Sequence, residues 1–184
     1  MRTLILPLLA LGLAQPVWAQ SETGVDPTAR ETVVEFGAPQ PVILRSGEAE
    51  HTIMAELATT PEQMQRGMMW RESVPEGTGM LFHYVPAQRA SMWMENTLVD
   101  LDLLFIDENG TVVKVIAYAQ SESRRSLPAN AEVSGVLELA AGQAIEMGIR
   151  PGDSVHHAIF GNADLPADAE DADVAAEDGA EDTP

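Results

Sequence analysis

The sequence predicts an α+β fold, a single β-rich, barrel-like domain with two short helices. Three observations carry this expectation. Short runs rich in β-branched and aromatic residues recur between turn residues, only two stretches carry helix-start or helix-stop chemistry, and no fixed-period repeat points to a solenoid or propeller.

Residues 32–36 and 41–44 are the first strand-like runs. In residues 51–57, Ile53, Ala55 and Leu57 alternate with Thr52, Met54 and Glu56, the pattern of a half-buried strand. Thr60-Pro61-Glu62-Gln63 starts a helix: Thr60 can accept from the Gln63 amide, Pro61 suits the first turn, and Glu62 faces the positive end of the dipole. Met64 and Met68 share one face of that helix, which breaks near Gly67. Residues 80–85 read as a strand stopped by Pro86, and residues 89–93 as another. Residues 101–106 and 111–118 flank Asp107-Glu108-Asn109-Gly110, where Asn-Gly is a strong hairpin signal. Residues 133–139 form a further strand, and residues 141–147 a short helix that Gly148 can end in a left-handed conformation. Pro151-Gly152-Asp153 turns the chain into a last strand, residues 154–160.

At 184 residues, 45% of them hydrophobic, the chain has room for one domain with appendages. Residues 1–19 read as a secretory signal peptide: Arg2 precedes an apolar run too short to cross a bilayer, and small residues surround a cleavage point after Ala19. Residues 20–31 read as a flexible leader, 32–162 as the globular domain, and 163–184 as a disordered acidic tail with nine carboxylates and no basic residue. The absence of cysteine excludes disulfides and a lipid-modified cysteine. The expectation is therefore a periplasmic or secreted monomer without stable membrane insertion after signal cleavage. A net charge of −19 argues against nucleic acid or an anionic membrane as partner, because both need a positive patch.

The densest chemistry lies in residues 91–110. Trp93, Asn96, Thr97 and Asp100 sit at an expected bend and suggest a surface groove for a small molecule or an envelope polymer, with Arg71 as its polar anchor. Asp100 and Asp102 project to one side if they share a strand. Their repulsion would raise one pKa and create an acid/base couple, and Trp93 could stack on a sugar ring. An envelope glycan hydrolase is thus the first alternative, and a structural or interaction protein of the envelope the second. Against catalysis, short polar side chains at bends commonly bond backbone amides, and an internal ion pair with Asp100 or Asp102 suits Arg71 better than an anionic ligand does. Met68, Met69, Met80, Met92 and Met94, with His83, are suitable ligands for Cu(I). Their placement among Leu81, Phe82, Leu101 and Phe105 fits ordinary core filling better. No histidine pair has zinc-ligand spacing, and neither metal nor cofactor is expected.

Gly67-Met68-Met69-Trp70-Arg71, Gly79-Met80-Leu81-Phe82, Trp93-Met94-Glu95-Asn96-Thr97, Leu101-Asp102 and Asp107-Glu108-Asn109-Gly110 occur in that order. They are followed by Val136-Leu137-Glu138-Leu139, Gly142, Gly148-Ile149 and Pro151-Gly152-Asp153. Over Thr52 to about Val155 this pattern resembles the domain-of-unknown-function family 192, a group of small prokaryotic, often exported proteins. Met68 departs from the leucine more usual in that family, a volume-conserving swap, and Trp70 is bulky where the family varies. The resemblance implies a fold and no mechanism.

Overall fold

The computed structural model describes residues 24–163; the expected signal peptide and the acidic tail beyond residue 163 lie outside that range. In chain order the elements are β1 (Gln40–Ser46), β2 (Ala49–Ala58), α1 (Pro61–Arg66), β3 (Thr78–Gln88), β4 (Ser91–Met92) and β5 (Leu101–Ile106). They continue with β6 (Val112–Ala119), β7 (Leu127–Pro128), β8 (Val133–Ala140), α2 (Gln143–Glu146) and β9 (Ser154–His156), and a 3-10 turn (Ala158–Phe160) follows. Seven strands form one sheet in the order β6-β5-β8-β3-β2-β1-β9, while β4 and β7 pair separately. Thr111, just before β6, bridges Ser154 of β9, so the two edges of the sheet approach each other in a barrel-like curl. The result is a mostly β domain with two short α-helices.

Every neighbouring pair in the large sheet is antiparallel except β2 and β3. A parallel pair needs a crossover, and residues 59–77 supply it. That crossover carries α1, whose start follows the sequence: Thr60 and Gln63 form a reciprocal capping box. The β5–β6 hairpin turns at Gly110 with φ 81°, while Asp107 Oδ1 accepts from the amides of Asn109 and Thr111.

Strand alternation separates two cores. Leu81, Leu104, Ile106, Leu137 and Leu139 belong to one, with Val42, Leu44 and Ile53. Met80, Phe82, Leu103, Phe105 and Val136 belong to the other, together with Met68, Met92 and Met94 of the covering segments. The central strand β8 is buried on both faces, which is why its sequence is nearly continuous in apolar and small residues.

Four local expectations differ from the fold. Residues 32–36 form no strand: Val33 is exposed, and the Glu35 carbonyl accepts from Gln63 Nε2 of α1 at 2.7 Å instead of joining a ladder. The described end of the expected leader is tied down as well, since Arg66 Nη1 donates to the carbonyls of Pro27 and Ala29 and Trp70 Nε1 to that of Thr28. Strand β3 passes Pro86 because its ladder with β8 shifts register between His83 and Gln88, so no amide is demanded of the proline. The last strand ends at His156, where His157 turns inward, bonds Gln40 through Nε2 and caps the 3-10 turn through Nδ1.

The close approach of β3 to β8 depends on Gly79. A Cβ there would stand 2.5 Å from the Glu138 carbonyl oxygen and 3.0 Å from a Leu139 methyl. Gly79→Ala is expected to destabilise the domain by about 2–3 kcal/mol through overpacking. A urea melt with an unchanged midpoint would show that the two strands can separate at no cost.

Candidate functional site

The second core is incomplete. Between the outer face of the sheet and the segments that cover it lies a cavity of about 300 Å³, walled by Met64, Met68, Met69 and Met92 and by the Phe82 and Tyr84 rings. Two chain segments make its cover. One is the turn after α1, where Gly67 adopts φ 47° and leaves only 3.0 Å between an added Cβ and the Phe82 ring. The other runs from Ala90 to Thr97, with β4 held by β7. Exposed Gln65, Gln88, Arg89, Ser91 and Trp93 ring the solvent side, and buried Thr97 and Glu138 line the interior.

Glu138 lies in the middle of β8, opposite Met80 on β3 and Leu103 on β5, both fully buried. Its side chain therefore rises from the sheet beneath the cavity, and the residue is 3% exposed. Among the described residues, neither of its carboxyl oxygens accepts or makes a hydrogen bond. Burial pushes its pKa up to about 8, against the opposing pull of the Arg71 guanidinium. Burial thus favours the protonated form, which can donate as well as accept. Tyr84 stands nearby: burial, and then the Glu138 charge, raise its pKa, and its hydroxyl donates to Met92 Sδ at 3.4 Å. Met69 Sδ in turn accepts from Asn96 Nδ2 at 3.8 Å, a weak contact that orients the thioether.

The six residues singled out by sequence separate clearly in space. Trp93, 51% exposed, and Thr97, 4% exposed, line the cavity. Asn96 stands behind the wall with φ 60°, where its carbonyl accepts from the Trp70 amide. Arg71 pairs with Glu56 at 2.5 Å, and its guanidinium lies 5.5 Å from the Phe36 ring centroid. Its ion-pair partner is thus on β2, and Arg71 is outside the cavity lining.

The expected carboxylate couple does not face a cleft. Asp100 Oδ1 accepts from the Ser121 amide. Asp102 is fully buried, with Oδ1 accepting from the Tyr118 amide and Oδ2 from the amides of Gly142 and Ala144, all at 2.9 Å. Asp102 caps the start of α2 from a strand, because Gly142 brings no side chain to do so.

Glu138, Tyr84 and Arg89 were not among the residues that sequence singled out. Glu138 had a signal: it is the one charged residue in the strand VSGVLELA. An acid in an otherwise apolar, doubly buried strand marks an unusual site before any coordinates are known. Tyr84 and Arg89 carry no comparable local mark. Of the methionines considered for Cu(I), Met68, Met69 and Met92 line the cavity whereas Met80 and Met94 are sealed in the core, and His83 is outside the lining. Among the described residues no group of three or more His, Asp or Glu side chains is placed to hold a metal ion.

The fold and the cavity define a small β-rich domain with one buried, unpaired acid under a methionine-lined opening. The chain belongs to the family DUF192, described as an uncharacterized ACR, whose profile matches residues 42–157. It is similar to the crystal structure of a "putative transcription regulator" from Sinorhizobium meliloti 1021, with 32% identity over 70% of this chain and 99% of that one and a TM-score of 0.66. A protein of unknown function from Novosphingobium aromaticivorans DSM 12444 is 30% identical over 73% of this chain and 99% of its own, with a TM-score of 0.64. No curated protein matches.

Proposed function

We propose that this domain binds a small molecule in the cavity above Glu138. One observation carries the reading: Glu138, a residue 3% exposed, lines a cavity of about 300 Å³, and its carboxyl has no hydrogen-bond partner among the described residues. The carboxyl opens into the cavity, and a ligand that hydrogen-bonds to it there gains about 1 kcal/mol net. The neighbouring Thr97 side chain and the Tyr84 hydroxyl give the same ligand further polar contacts, while the thioethers and Phe82 accept an apolar body.

This moves the recognition surface from a groove beside Asn96 and Asp100 to the other side of Trp93, which keeps a place at the rim. The glycan-hydrolase alternative has no remaining geometric support, because both of its carboxylates are engaged by backbone amides. A nucleic-acid partner, which the description of the Sinorhizobium protein would suggest, is disfavoured by the charge of −19. We also place the protein outside the cytoplasm, on the signal-like first 19 residues and the lack of cysteine.

A thermal-shift screen of small molecules at pH 7 tests the binding reading. A ligand at one hundred times its Kd adds about 3 kcal/mol of stability. Compounds that stabilise the parent are expected to lose that effect in Met92→Trp, which fills the cavity from its wall. Stabilisation that survives in the filled variant would place the ligand elsewhere and defeat the proposal.

A further inference from the structure

The charge at the cavity mouth has the opposite sign to the chain as a whole. The protein carries 29 acidic and 10 basic residues, yet Arg66 and Arg89 both line the cavity and Glu138 is its one carboxyl group. Neither arginine makes an ion pair among the described residues. Arg66 spends one nitrogen on the carbonyls of Pro27 and Ala29, which fixes its position and leaves its charge uncompensated. Burial, and then the charge of nearby Arg71, lower the Arg66 pKa, although Arg71 is itself paired with Glu56 and lies outside the lining. Arg89 is exposed and its side chain makes no hydrogen bond among the described residues.

The polarity along the cavity therefore runs from exposed Arg89 at the solvent side, with Arg66 also in the lining, past thioether and aromatic walls, to a carboxyl whose burial favours the neutral form. A cationic ligand would meet like charge on entry, and an ionised Glu138 to receive it would have to be desolvated. A neutral apolar ligand would leave the rim unused. At roughly 30 Å³ for each water-sized group, the cavity takes about ten non-hydrogen atoms.

Resting on the cavity as the ligand site, we infer that its natural ligand is a compact amphipathic organic anion of carboxylate type. The charged head lies at the Arg89 rim, with Arg66 adding positive charge to the same lining, and the apolar body runs inward along Met68, Met92 and Phe82. Guanidinium groups suit a carboxylate head because their paired N–H donors match its two oxygens.

Octanoate, octanol and octylamine share one chain and differ in head-group charge. Each is titrated into the full-length protein at pH 7 by calorimetry, with the parent, Arg89→Glu and Met92→Trp compared. Octanoate is expected to bind more tightly than octanol, and octylamine to show no heat of binding. Arg89→Glu should weaken octanoate about tenfold, leave octanol unchanged, and remove the salt dependence of the difference. Met92→Trp should abolish both.

Equal affinity for octanoate and octanol, or indifference to Arg89→Glu, would overturn the anion inference while leaving the cavity reading in place. Preference for octylamine would overturn it in favour of a cation held by ionised Glu138. If none of the three binds, the inference fails outright, and the broader screen decides the cavity reading separately.

Discussion

Glu138→Gln is expected to make the protein more stable at alkaline pH, by about 5 kcal/mol at pH 9, with the difference vanishing below pH 4.5. The sign follows from linkage. The Glu138 pKa is raised by burial from an ordinary 4.5 to about 8, so between those values the folded state holds a proton that the unfolded state has released. Folding is then progressively less favourable as pH climbs through that window, and the loss levels off above pH 8. Each pKa unit corresponds to about 1.4 kcal/mol, which sets the order of magnitude. Glutamine keeps the shape and cannot ionise, so it removes this pH dependence and leaves other titrating groups as they were.

Against a typical domain stability of about 5–15 kcal/mol, the effect is large and readable by urea denaturation at a series of pH values. Parallel profiles for parent and variant from pH 5 to 9 would mean that Glu138 ionises normally and reaches solvent. Stabilisation on removing an acid is also the behaviour expected of a residue retained for binding, since it is held in place at the expense of the fold.

Asp102 behaves in the opposite way. Asp102→Ala is expected to lower stability by about 4 kcal/mol and the melting temperature by more than 10 °C. The substitution strands three amides, those of Tyr118, Gly142 and Ala144, of which the last two open α2. Hydrogen bonds to a charged acceptor contribute about 1.5–3 kcal/mol each, and buried donors left without partners pay their full desolvation. Asp102→Asn should recover only part of the loss, because its amide nitrogen would face N–H donors on one side. A melting temperature within 2 °C of the parent for Asp102→Ala would show that water replaces the carboxylate, and that the cap is dispensable.

Much of the framework was legible in the residues. The Thr60–Gln63 capping box, the Asn109-Gly110 hairpin and the strand at Leu101–Ile106 rest on local chemistry, and local chemistry is what a sequence displays. Met92 and Met94 are buried and Trp93 is half exposed, the alternation of an extended segment. The strand expected at 32–36 failed because Glu35 found its partner 28 residues away, on α1.

The site shows the same division more sharply. Asp102 in LDLLFI and Glu138 in VSGVLELA look alike in one dimension, each a single acid in an apolar strand, and burial of both could be read from that pattern. Whether a buried acid is satisfied depends on donors that the fold brings from elsewhere. Asp102 meets amides 16, 40 and 42 positions along the chain, while Glu138, one strand over and on the opposite face of the sheet, meets a cavity. The sequence by itself determined most of the strands and the Thr60–Gln63 cap, and it displayed two acids in apolar strands. Only tertiary structure decided which acid is held by backbone amides and which faces a cavity, because hydrogen-bond partners distant in sequence are chosen by packing.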